Sequence, residues 1–134
     1  MESSQGDRGT THGLVPVIDA LAVDCADPMT VGKFWQGLLG GELHKDRDGD
    51  AELHGGPIRL DFVRVPEGKT VKNRLHLDLY VPPDVRQEAI DRAVWLGATI
   101  ADDVYNGGHW QVMRDVEGNE FCLVWGAGLN ERPA

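Results

Sequence analysis

The chain reads as one α+β domain of two βαβββ modules. Together they form a curved mixed sheet with a concave trough, and the helices lie on the outer face. Three observations carry this reading. Segments such as "RLHLDLYV" (74–81) alternate apolar and polar side chains with the period of two that marks a half-buried strand. Two segments, 29–41 and 85–97, space their apolar residues for helices instead and end at glycine. The halves also replay one another: Gly40 of "LLGGE" stands 57 residues from Gly97 of "WLGAT", and Ala20 stands 56 from His76.

Residues 1–16 are polar and glycine-rich and read as a disordered tail, with His12 solvated. The domain spans 17–128, in modules 17–65 and 74–126, and residues 129–134 form a C-terminal tail. "VIDALAVDCA" (17–26) alternates as the first strand and ends at Asp27-Pro28, an N-cap followed by a first-turn proline. The helix that follows points Val31, Phe34, Trp35 and Leu38 inward. Short strands come next in "GELHKD", "DAELHG" and "IRLDFVRV", and "PEGKTVK" (66–72) links the modules.

The second module opens with "NRLHLDLYV" and stops at Pro82-Pro83-Asp84. Its helix turns Val85, Ile90, Ala93 and Leu96 inward, and "ATIADDVY", "HWQVMRD" and "NEFCLVW" supply strands. One helix per four strands covers one sheet face. The rows Leu21, Val23, Cys25 and Leu75, Leu77, Leu79, Val81 therefore pack under the helices. Ala20, Ala22, Asp24 and His76, Asp78, Tyr80 face the trough. Trp35 and Trp95, both on helices, are expected to be at least partly buried.

With 22 acids against 13 Lys and Arg, the net charge is −9. A nucleic acid or an anionic membrane would need a basic face, so neither is an expected partner. Apolar runs are too short to span a bilayer, and residues 1–14 lack the apolar core of a signal peptide, so a cytoplasmic protein is expected. Cys25 and Cys122 fall on opposite faces by alternation and cannot bridge. Ser-His-Asp order, phosphate-loop and zinc-protease motifs do not occur.

"NRLHLDL" opening the second module and "DVEGNEFCL" closing it resemble the vicinal oxygen chelate superfamily, the glyoxalase, bleomycin-resistance and extradiol-dioxygenase fold. The likeness spans about residues 17–126 and is closest to the small glyoxalase-like branch. That branch usually reads Asp-Pro-Glu-Gly-Asn-Glu in its last turn; here Val116 replaces the proline, while Gly118 still supplies the positive φ the turn needs. The resemblance implies metal-ligand positions at Ala20, Asp61, His76 and Cys122. Ala20 cannot ligate, and Cys122 is unusual, so no cofactor is expected. A divalent metal, if bound, would be held by His76, Asp61 and Cys122. A homodimer is implied too, because relatives pair modules across chains.

Candidate catalytic residues are His76, Asp61 and Glu120, each a general base by type. Arg74, Asp78, Tyr80, Tyr105, Trp110 and Cys122 are candidate ligand contacts, with Tyr105 and Trp110 flanking the "NGGH" loop. Each has a plain structural reading beside it. His76 can bond a neighbouring acid, and Asp78 can support His76 or pair with Arg59 or Arg74. Glu120 can close the Asp115–Asn119 turn, and Cys122 can serve as a small packed hydrophobe. His44, His54 and His109 are expected to be exposed. The function expected is metal-independent binding of an aromatic or carbonyl-bearing small molecule in the trough. The alternative is a lyase, isomerase or dioxygenase-type enzyme using a divalent metal or a carboxylate or His base.

Overall fold

The structure, a computed structural model, describes residues 13–104 and 107–126. Expectations for residues 1–12, for Tyr105 and for residues 127–134 lie outside the described residues. The order is β1 (Ala20–Cys25), α1 (Pro28–Leu39), β2 (Glu42–Lys45), β3 (Ala51–His54) and β4 (Arg59–Arg64) in the first module. The second has β5 (Asp78–Tyr80), a 3-10 turn at Pro83–Val85, α2 (Arg86–Leu96), β6 (Thr99–Ile100), β7 (Trp110–Arg114) and β8 (Glu120–Val124). Each module forms a four-stranded mixed sheet, β1-β4-β3-β2 and β5-β8-β7-β6. The two orders are the same, with β1–β4 and β5–β8 parallel and the rest antiparallel. This is the α+β repeat read from the sequence. No helix among the described residues is long and apolar enough to cross a membrane.

Helix α1 starts where the sequence places it. Asp27 accepts from the Thr30 amide (3.2 Å) and the Thr30 hydroxyl (2.8 Å), and Pro28 occupies the first turn. It buries Val31, Phe34 and Trp35. Helix α2 has no side-chain cap and buries only Ile90 and Ala93.

The modules share one core. Trp35 of α1 meets Phe121 of β8 edge-on at 5.0 Å between ring centres, and Phe34 lies 6.0 Å from the same ring. The Trp35 indole N–H donates to buried Asp115 (3.0 Å). Two residues on, the Glu117 carboxylate accepts from the Ala26 and Asp27 amides at 2.7 and 2.8 Å. Asp115 also accepts from the Glu117 and Asn119 amides, closing the turn whose Gly118 has φ +88°.

Three expectations are corrected. The strand expected over 74–81 is in place only at Asp78–Tyr80, with Leu77 and Val81 each adding one bond to β8. Leu75 is 83% exposed rather than packed under a helix, while Leu77 and Leu79 do join the core. The cause lies at Asn73, whose amide bonds the Glu120 side chain (2.9 Å) instead of a strand, so the segment leaves the sheet. Trp95 is 81% exposed. Ala93 points inward, and two residues at about 100° each put Trp95 on the far side of the helix. Val85 sits in the 3-10 turn outside α2 and is exposed.

Two stability outcomes follow. Trp35→Phe keeps an aromatic ring but loses the pyrrole part of the buried indole and its N–H donor to the Asp115 carboxylate, and urea melts are expected to show a loss of at least about 1–3 kcal/mol. Leu77→Ala is expected to cost about 1–3 kcal/mol as a partly buried member of the core. Leu75→Ala should stay within about 0.5 kcal/mol; equal losses for the two leucines would contradict the register before β5.

Candidate functional site

Pairing register builds one wall of the trough. Asp78 lies opposite Cys122 on β8, which lies opposite Val112 on β7. One step along, Tyr80, Val124 and Trp110 align, and one step back Glu120 faces Arg114. These residues occupy the face opposite Leu79, Leu123, Phe121 and Met113, which join the shared core. Ala101, Val112, Cys122 and Val124 form a separate buried apolar patch, with Tyr80, Val104 and Trp110 packed on it.

Above this patch is a cleft of about 530 Å³. Val112, Cys122 and Val124 are in its lining, and Lys72, His76, Asp78, His109 and Trp110 also border it. A second cleft, about 610 Å³, lies between the modules, against Leu21, Val23 and Trp35 on one side and Leu75, Leu77 and Phe121 on the other. His76 and Glu120 border both. Arg74 is exposed on the second.

Each candidate base has a partner. His76 Nδ1 lies 3.2 Å from Asp78 Oδ1 in an exposed pair, so Asp78 engages His76 rather than Arg59 or Arg74. Asp61 is on β4, opposite Ala22 and Glu52. Both its oxygens are held by Arg59, at 2.7 and 3.1 Å, and those hydrogen bonds raise the Arg59 pKa further. Asp19 adds a bond to the same guanidinium at 3.2 Å.

Glu120 is buried. Burial by itself would raise its pKa, but bonds from the Asn73 amide, Lys69 and Arg114 outweigh that and bring it down from 4.5 to about 2. Arg114 extends the network to Asp103 at 2.8 Å. Glu120 is thus an anchor, ionised at neutral pH, that joins the linker to β7 and β8, while Asp115 closes the neighbouring turn. Neither Asp115 nor Lys69 stood out in the sequence. Asp115 sits inside a turn motif that already explained it, and Lys69 sits in a linker with no periodicity.

Cys122 is buried, and burial, with the nearby Asp78 carboxylate and its hydrogen bond, pushes the thiol up to about 11. Of the ligand positions the superfamily implies, Ala20 carries no donor and Asp61 is occupied by Arg59. The group that does converge among the described residues is His76, Asp78 and Cys122, with donor atoms within 4.8 Å of one another. One nitrogen, one oxygen and one sulfur do not suit a hard octahedral ion. They suit a soft ion such as zinc, which would have to displace a thiol proton held well above neutrality.

The glyoxalase-like domain family matches residues 20–124. No curated protein matches the chain in sequence. Among solved structures, the chain is similar to a glyoxalase/bleomycin resistance protein/dioxygenase family enzyme from Burkholderia phytofirmans PsJN. The TM-score is 0.64 at 17% identity, over 78% of this chain and 94% of that one. It is similar to the fosfomycin resistance protein FosX from Mesorhizobium loti at TM-score 0.68 and 12% identity, over 87% and 97%. A FosX variant from Listeria monocytogenes, complexed with Mn(II) and 1S,2S-dihydroxypropylphosphonic acid, gives 0.69 and 12%, over 87% and 94%. At these identities the likeness is one of fold.

The Glu120 network sets an acid limb. Its folded pKa lies below its unfolded value, so the stabilisation is complete above about pH 4.5 and is lost as pH falls toward about 2. Acid titration of the melting midpoint is expected to show this loss. Glu120→Gln should flatten that limb and cost about 1–3 kcal/mol at neutral pH.

Proposed function

The chain belongs to the glyoxalase-like domain family of the vicinal oxygen chelate superfamily, and from that premise we propose that it binds an aromatic or carbonyl-bearing small molecule without a metal. The observation that carries this reading is the 530 Å³ cleft with Val112, Cys122 and Val124 as a buried apolar floor and polar groups at its edges. Its size and lining fit a small-molecule site. The metal-free part rests on Ala20, which has no donor, and on Asp61, which Arg59 already holds by both oxygens.

A second reading has one specific support. With Asp78 accepting the Nδ1 proton, His76 keeps its Nε2 lone pair at the cleft, the arrangement of an oriented general base. Asp61 and Glu120 serve this role less well, since each carboxylate is already neutralised by cations. Were a metal bound, His76, Asp78 and Cys122 would hold it, and it would supply Lewis-acid polarisation of a ligand carbonyl.

We also propose a homodimer. Among the described residues β1 and β5 are edge strands of their sheets, and Leu75, on the cleft shared with β1, is exposed, a surface a second copy would cover. A monomer by light scattering at micromolar concentration would refute this part.

Metal analysis of the purified protein, followed by thermal-shift screening with aromatic and α-keto compounds, tests the main reading. Metal-free protein stabilised by such compounds is the expected result; stoichiometric, tightly bound metal would overturn it. His76→Ala should weaken the ligand response at a stability cost of about 1 kcal/mol or less, because the residue is exposed at the cleft wall.

A further inference from the structure

We infer that the ligand of the 530 Å³ cleft is an organic anion, an aromatic carboxylate or enolate whose ring lies on the apolar floor and whose charge is met by Lys72. This inference rests on the small-molecule reading above and names the class of ligand. Charged side chains ring the cleft. Two acids border it, and both have partners: Asp78 shares a hydrogen bond with His76 at 3.2 Å, and Glu120 is ion-paired with Lys69 at 3.0 Å and Arg114 at 3.1 Å. Lys72 also borders it and forms no ion pair among the described residues; its ammonium only reaches the Asn73 carbonyl at 3.4 Å.

In a protein of net charge −9, Lys72 is thus a cation with no ion pair among the described residues, beside an apolar floor. An anionic head would find a charge-assisted partner there. A cationic head would meet two carboxylates that already have partners, and an amine would gain nothing from Lys72. His109 borders the same space and can donate a ring N–H to a carboxylate in its neutral form. Gly126 permits this placement of His109: a Cβ at that position would lie 2.0 Å from the His109 Cβ. The floor of Val112 and Val124, with Trp110 beside it, accepts a planar ring.

Three matched probes test the inference: 2-naphthoate, 2-naphthamide and 2-naphthylmethylamine, titrated by calorimetry at neutral pH into the full chain and into Lys72→Met. The expected order is naphthoate tightest and the amine weakest. Lys72→Met should weaken naphthoate at least about tenfold, the loss of one charge-assisted bond, and leave the amide unchanged. Lys72→Glu should reverse the preference between acid and amine. Lys72 is exposed, so both variants should melt like the parent. Equal affinity for acid and amide, or a preference that persists in Lys72→Met, overturns the anionic assignment and leaves small-molecule binding standing. No binding of any probe overturns both.

Discussion

The turn at Asp115–Asn119 is the constraint on which the rest of the molecule depends. Asp115 accepts from two amides of its own turn and from the Trp35 indole across the module boundary. Glu117 reaches the amides that precede α1. One short segment therefore shapes the β7–β8 hairpin and fastens it to the first module. Burying a carboxylate without partners would be costly, and the number of donors aimed at Asp115 explains why it is tolerated there. Because β8 begins immediately after this turn, its register inherits the turn's position. That register puts Glu120, Cys122 and Val124 on the cleft face and Phe121 and Leu123 in the core.

The trough is acidic by composition yet locally balanced. Arg59 matches Asp61, Lys69 and Arg114 match Glu120, and Asp78 shares a hydrogen bond with His76. Such pairing leaves little general-base capacity outside His76 and keeps the cleft from repelling anions, as a run of unpaired acids would. The bound carboxylates are scaffolding for the wall, and the chemistry that remains lies with His76, Lys72 and the apolar floor. The buried, protonated Cys122 belongs to that floor.

Much of the fold was legible because it rests on repeated, local signals. The strand order recurs in both modules as the 56–57 residue spacing implies, and α1 begins at the cap that Asp27-Pro28 announced. Legibility failed where a long-range bond overrides a local pattern. Leu75 continues the alternation of Leu77 and Leu79, but the Asn73–Glu120 bond draws the chain out of the sheet before it. Trp95 is apolar by type, but its angle from Ala93 on the helix turns it to solvent. The site was less legible than the fold for a related reason: Asp78 neighbours His76 in sequence, while the partners of Asp61 and Glu120 depend on tertiary placement. Lys72 looked like linker and lies at a cleft.

The fastening between modules has a bearing on the order of assembly. Asp115 and Glu117 contact residues 80 to 91 positions earlier, so those bonds close one of the largest loops the chain can make. The first sheet contains all its own strands by Arg64 and can pair them from local material alone. Its aromatic face, Phe34 and Trp35, nonetheless waits for Phe121, and the Trp35 N–H and the amides before α1 wait with it. During synthesis the early half is therefore a sheet with an unsealed flank. Contacts of such separation are slow to form, and the flank stays open to water, or to any other apolar surface nearby, until the last hairpin emerges and folds back.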